Sequence, residues 1–448
     1  MKKKLFVVMA LLCAALLLAG CVSELPAVPA TSQQPVVDEP TEGIINDDTS
    51  AISVVLDVVI FKQGSLADFT AFLTQWLEKK SPEQNTAQSP VPVEIAGLDL
   101  ANAEHVAALY SGITRYVDLD LQQCTGTSIV YADAPLENKK RIVSLKLPAS
   151  VSRLVKGKSW NHGTFYDFAA LRLVVMPGVT TIDDYSFYSC NSLAEIDLSK
   201  VAVIGASVFV SCWDLKEVDL SSATSIGTGV FSLCSNLTVI TISPSNIYYY
   251  AEGSMLTDKN KTTLIAYSGA KGEIILPPTI TKIEEGAFSS SEITKLEHDG
   301  VLTVGSMGFH GCDSLESISL PNATSIGTSV FLNCSKLVTA NLPKVSTIGT
   351  GAFQYCRQLK TVTISGATSI GGSVFSGCTV LETVTLGAQA PVLQTVTYSG
   401  GNSASSFTDT NEAFVIAVPA GKEQGYGNNV TGWTDDLKAK VKPISQKP

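Results

Sequence analysis

From residue 165 to residue 386 the apolar positions recur with a fixed phase. Phe165, Phe187, Phe209, Phe231, Phe288, Phe309, Phe331, Phe353 and Phe375 mark successive units. Three residues after all but two of them stands a cysteine: Cys190, Cys212, Cys234, Cys312, Cys334, Cys356 or Cys378, 22 residues apart within each run. Three residues after each cysteine comes Leu193, Leu215, Leu237, Leu315, Leu337, Leu359 or Leu381. A complete unit reads Leu315-x-x-Ile318-x-Leu320-Pro321, Ser325-Ile326-Gly327, Val330-Phe331-x-x-Cys334. Leu-x-x-Ile-x-Leu predicts a short strand with its branched residues inward, ended by the Pro or Ser that follows. Ile-Gly predicts a tight inward turn, with glycine supplying a backbone conformation closed to other residues. Phe and Cys then fall on a short turn or 3₁₀ helix, the ring filling the core beneath it.

A repeat of this length carrying Leu-x-x-Ile-x-Leu predicts a leucine-rich repeat solenoid. That is a curved right-handed coil, with short parallel strands on its concave face and short turns or 3₁₀ helices on its convex face. The array is expected over 151–386. Phe231 and Phe288 are 57 residues apart, which predicts a β-hairpin insertion over 243–272. It carries Tyr248, Tyr249 and Tyr250, which are either a contact surface or rings that dock the hairpin onto the array. Residues 51–150 are expected to form an irregular α+β N-terminal cap. Ser65–Lys79 reads as an amphipathic helix with a capping box from Ser65 and Asp68, and 94–100, 116–121 and 142–147 alternate like strands. Residues 387–448 form the C-terminal cap, with a strand over Glu412–Pro419 and a helical segment over Trp433–Val441.

The N-terminus changes the picture. Lys2, Lys3 and Lys4 precede an apolar run from Leu5 to Leu18, which is too short to span a bilayer. Leu18-Ala19-Gly20-Cys21 resembles the bacterial lipobox. That resemblance implies removal of residues 1–20 as a signal peptide and lipid attached to Cys21, the one covalent group expected. An ordinary signal peptide or an uncleaved anchor are the alternatives. Residues 21–50, rich in Pro, Thr, Ser and acidic residues, read as a flexible tether. Loss of the signal would take the formal charge from −10 to −13, which disfavours nucleic acid as a partner.

Little in the chain points to chemistry. The seven ladder cysteines read as buried, reduced packing units. Stacked side chains point in parallel, and no Cys-x-x-Cys or paired Cys/His spacing suggests zinc. His105, His162, His298 and His310 are scattered and read as surface or turn residues. With no phosphate loop, dinucleotide fingerprint or Gly-x-Ser-x-Gly, the chain is not expected to be an enzyme, although a site assembled from distant rungs would escape sequence reading. The strand positions beside the central Ile face outward, onto the concave surface. They run Glu195/Asp197, Glu217/Asp219 and Val239/Thr241. After the insertion they run Ser317/Ser319, Thr339/Asn341, Thr361/Thr363 and Thr383/Thr385. An acidic half therefore gives way to a hydroxyl-rich half. Either exposed strands simply favour these residues, or the face recognises a partner, its acidic end suiting a basic protein or a divalent cation.

The unit L-x-x-I-x-L-P-x-x-x-x-I-G-x-x-x-F-x-x-C resembles the BspA-like leucine-rich repeat family of bacterial surface proteins over about residues 165–386. Ala413–Ala420 and the hairpin also resemble elements of that family. The resemblance implies a lipid-anchored, surface-exposed adhesin-type protein of the cell envelope. Its partners would be host matrix or plasma proteins, or other bacteria. Residues 22–150 carry no such motif, and the Phe165 unit lacks its Cys. A lipoprotein that faces the periplasm and scaffolds the envelope is the alternative.

Overall fold

The computed structural model describes residues 52–444, apart from 56–57, 63, 160, 398–402 and 427–429. The expected signal peptide, Cys21 and the expected tether lie outside the described residues. The described residues belong to one compact unit, built as a parallel β-solenoid.

The Leu-x-x-Ile-x-Leu segments supply the strands of a first sheet, and from Ser317 on each pairs in parallel with its equivalent 22 residues on, as in Ser317↔Thr339↔Thr361↔Thr383. The central and last apolar residues of the segments are buried, Ile242 only partly, because alternate side chains of a strand point to opposite faces. The Ile-Gly segment corrects the expected turn. Ser325–Ile326, Thr347–Ile348 and Ser369–Ile370 are two-residue strands of a second parallel sheet. The glycines after them have no left-handed backbone. Instead, a Cβ at Gly327 would lie 2.6 Å from Ser306 N, and one at Gly371 2.6 Å from Thr350 N. Glycine is required there because successive rungs touch backbone to backbone.

The Phe and Cys segments are turns, not 3₁₀ helices; among the described residues the one 3₁₀ helix is Glu423–Tyr426. From Phe187 to Phe375, residues two before and two after each Phe hold positive φ, for example Ser329 (55°) and Asn333 (62°) around Phe331. Between them the backbone stacks on the next rung, with Phe331 N–H donating to Ala352 O at 2.7 Å and Phe353 N–H to Val374 O at 2.9 Å. Beneath, the rings form a continuous spine. Centroids are 4.9–5.6 Å apart from Phe288 through Phe309, Phe331, Phe353 and Phe375 to Phe407 and Phe414.

Every ladder cysteine is a buried free thiol. None is simply apolar filler, for each Sγ donates to the carbonyl of the Phe on the preceding rung at 2.9–3.2 Å. Where the insertion displaces the next cysteine, Ser268 Oγ takes over and donates to Phe231 O at 2.9 Å. Phe168 occupies the position of the missing Cys in the Phe165 unit, its ring edge-on to Phe165 and Tyr110.

The first sheet begins ahead of the repeat. Val91–Asp99, Val117–Thr125 and Ile142–Lys146 pair in parallel and pass directly to Leu173–Val175 and Glu195–Ile196. The antiparallel pair Ile52–Val55/Val58–Phe61 covers its end. Helix α1 (Leu66–Glu78) buries Phe69, Leu73 and Leu77, and Ser65 Oγ accepts from Ala67 N–H. Helix α2 (Ala103–Gly112) buries Leu109 and Tyr110. At the far end Val415–Val418 and Val441–Pro443 extend the first sheet, with helix Asp435–Ala439 between them.

The insertion is built into the wall. Tyr249–Glu252, Met255–Asp258 and Thr263–Ala266 are antiparallel neighbours, and the last passes in parallel to Lys282–Ile283. The buried core divides into two clusters at this point.

Candidate functional site

The outward positions of the first sheet form two files that the pairing register fixes. Ser317, Thr339, Thr361 and Thr383 stack in one, and Ser319, Asn341, Thr363 and Thr385 in the other. Asn341 Nδ2 donates to Ser319 Oγ at 3.1 Å, tying neighbouring rungs together. On a rigid parallel sheet these groups are presented at the strand spacing, about 4.8 Å along the axis.

The acidic positions sit differently. The seven-stranded sheet ends at Glu195–Ile196, and a separate two-stranded sheet starts at Glu217–Asp219. Glu195 therefore faces Leu173 across its own sheet and Glu217 faces Val239. Like charges directly opposed destabilise a strand pair, and the ladder is interrupted between these two rungs. Asp197 accepts from Ser199 N–H at 2.9 Å, and the Ser199 hydroxyl and amide hold its carboxyl below the usual range. Asp219 accepts from Ser221 N–H at 2.9 Å and Ser221 Oγ at 2.5 Å. Both aspartates thus close the turn after their strand, while Glu195 and Glu217 are exposed. The opening beside them has a volume of about 470 Å³ and is lined by Met176, Glu195, Asp197, Lys200 and Glu217.

Between the two halves lies a charged band that sequence reading missed. Lys271 pairs with Glu292 at 3.1 Å, and Lys295 bridges Glu273 at 3.2 Å and Glu297 at 3.3 Å. The signal was hidden because this rung reads Ile293-x-x-Leu296-x-His298, with histidine in place of the last Leu. His298 is accordingly buried at a turn, which narrows the reading of it as a surface or turn residue. Its Nδ1 accepts from Gly300 N–H and Val301 N–H at 3.0 and 3.2 Å, so Nε2 carries the proton and faces Pro277 O at 3.0 Å.

The three tyrosines divide. Tyr249 is half-buried, and its hydroxyl accepts from Ile226 N–H at 2.8 Å, capping the last strand of the second sheet's first half. Tyr250 lies under Lys261 Nζ at 3.7 Å and donates to Glu252. Tyr248 is exposed. Among the described residues no three His, Cys, Asp or Glu side chains are placed to hold a metal ion. No described helix is long and apolar enough to cross a membrane.

The family model described as a BspA-type leucine-rich repeat region matches residues 158–268 and 281–405 in six copies. Comparison with curated proteins gave no match. Solved structures similar to this chain include a leucine-rich repeat protein from Eubacterium ventriosum, 23% identical with a TM-score of 0.48, covering 66% of this chain and 88% of that one. The pneumococcal vaccine antigen PcpA is 14% identical with a TM-score of 0.49, covering 82% and 91%. A leucine-rich cell surface protein from Faecalibacterium prausnitzii is 18% identical with a TM-score of 0.47, covering 75% and 92%.

Proposed function

Because the chain belongs to the BspA-type leucine-rich repeat family, we propose that it is a non-catalytic binding protein. It is held on the bacterial envelope through lipid at Cys21, and its first-sheet face adheres to host matrix or plasma proteins or to other bacteria. The observation that carries this reading is the face itself. Two files of polar side chains, exposed or half-buried, are held in register over successive rungs, with acidic groups at one end. A long, shallow, preorganised surface suits a macromolecule, because little ordering entropy is lost on binding.

Binding of the protein to immobilised matrix and plasma proteins tests this. Changing Glu195 and Glu217 to Gln, and Asp197 and Asp219 to Asn, removes four charges but keeps acceptors for Ser199 and Ser221. The expected result is weaker and less salt-sensitive binding; unchanged affinity and salt slope reject the acidic end as a contact. Thr361, Thr363, Thr383 and Thr385 changed together to Ala test the hydroxyl end. A fatty-acid analogue should label the wild type and miss Cys21→Ala. Protease added to intact cells should cleave the chain, and full protection would favour a periplasm-facing scaffold.

A further inference from the structure

A chain with net charge −10 carries a cationic groove beside the rungs that precede the repeat. One wall is the loop bearing Asn85 and Gln88. Arg115 fixes that loop, its guanidinium donating to Lys80 O at 2.8 Å and Ser81 O at 2.9 Å. The floor is Thr114 and Tyr116, and the opposite wall carries Arg141 and Arg172 at the starts of paired neighbouring strands. The volume is about 620 Å³, within the range of small-ligand sites.

Three features suit it to an anion bearing hydroxyl groups. First, among the described residues neither Arg141 nor Arg172 pairs with a carboxylate. Arg141 Nη1 meets only the Asn138 amide oxygen, at 3.3 Å. The third cation, Lys140, is already neutralised by Glu137 at 3.3 Å and Asp167 at 3.6 Å. Second, the exposed loop wall offers the side-chain amides of Asn85 and Gln88, each able to donate to and accept from ligand hydroxyls. Third, the remaining lining is amide, hydroxyl and alanine, with the Tyr116 ring as its one large flat surface. A protein partner would call for a deeper apolar centre.

We propose that this groove binds an acidic sugar, its carboxylate taken by Arg141 and Arg172 and its hydroxyls by Asn85 and Gln88. The site is independent of whatever protein the strand face takes. Calorimetric titration of the full-length protein in detergent with trigalacturonate, maltotriose and a tetraglutamate peptide tests it. Trigalacturonate should bind, with affinity falling as salt rises, while maltotriose and tetraglutamate bind at least tenfold more weakly. Arg141→Gln with Arg172→Gln should lower trigalacturonate affinity tenfold or more. Gln88→Glu, on an exposed loop where folding is not at risk, should weaken it as well by placing a negative charge in the wall. No binding of trigalacturonate overturns the proposal. So does equal binding of maltotriose or tetraglutamate, or unchanged affinity in Gln88→Glu or in the folded double-arginine variant.

Discussion

Two glycines on adjacent rungs separate the physical reasons for keeping glycine. Gly327 follows a second-sheet strand, has no left-handed backbone, and would place a Cβ 2.6 Å from Ser306 N and 2.9 Å from Ser306 Cα. Gly351 has φ +63°, and the nearest atom to its Cβ would be Gln354 Oε1 at 3.1 Å, the end of a flexible side chain. Were conformational freedom the only issue, Gly327→Ala would stabilise the protein by about 0.4–1 kcal/mol through the unfolded chain, and Gly351→Ala would cost about 1 kcal/mol. Close approach reverses the order. Restoring ordinary contact at residue 327 means parting the rungs by roughly 0.5–1 Å, which forfeits a quarter to a half of each contact's attraction. It also stretches the Gly327 N–H to Val304 O bond from 2.9 Å. Overpacking of this kind costs about 3 kcal/mol.

The position of Gly351 is already relaxed elsewhere. Ser207, Ser329 and Ser373 occupy it at φ 54–57°, so a side chain there is compatible with the fold. Urea unfolding gives the total effect. Because a solenoid is stabilised by nearest-neighbour interfaces, it need not unfold in one step. Hydrogen exchange should therefore be followed at amides of the Phe309 and Phe331 rungs, where Gly327→Ala should release protection first. A Gly327→Ala protein no less stable than Gly351→Ala would refute the close-approach account.

Cys334→Ala should cost about 1–2 kcal/mol, since Phe309 O loses the thiol but keeps Cys312 N–H at 3.2 Å; Cys334→Ser should recover part of this, as Ser268 does naturally, and denaturant titration compares them. Mass spectrometry of the unreduced protein should find no disulfide among the ladder cysteines. Burial pushes the thiols of Cys234 and Cys378 up to about 12 from 9.0. They therefore stay neutral in the folded state after unfolded thiols have ionised, so their contribution is complete below pH 9 and is lost as pH rises from 9 to 12. Unfolding midpoints should fall over that window, and fall less in Cys234→Ser; a flat profile excludes the effect. His298→Leu restores the repeat consensus yet should destabilise by about 2 kcal/mol, because Gly300 N–H and Val301 N–H lose their acceptor. A thermal midpoint equal to or above wild type would show that apolar filling outweighs those two bonds.

The repeat was readable because stacking gives equivalent positions equivalent surroundings. Phe331 touches Phe309 and Phe353, so one residue type suits every rung and the period is printed in the chain. What lies between rungs leaves no such mark. The bond from Cys334 to Phe309 O spans 25 residues, and the glycine contacts are made with backbone, which has no sequence identity to read. The rungs over 91–146 were hidden for a different reason. There α2 covers the sheet in place of the Phe turn, and Tyr110 meets Phe168 at 5.4 Å where another rung would continue the spine.

The outward face was legible in order but not in geometry. Strand alternation places Glu195, Asp197, Glu217 and Asp219 outside, yet it cannot say that the ladder opens between them. That opening changes what the four charges mean. In a continuous sheet, Glu195 and Glu217 would stand about 4.8 Å apart, with a mutual repulsion of up to a few kcal/mol at the effective dielectric of a protein surface. With the sheet ended at Glu195–Ile196 and resumed at Glu217–Asp219, each glutamate sits beside an apolar neighbour in its own sheet, and the aspartates are held by Ser199 and Ser221. The interrupted ladder is then one route to relief of the repulsion that involves no bound cation. If separation alone relieves it, Glu195→Gln with Glu217→Gln should leave stability within about 0.5 kcal/mol of wild type. A gain well above that, measured by denaturant unfolding at low salt and disappearing at high salt, would show that the charges still oppose one another.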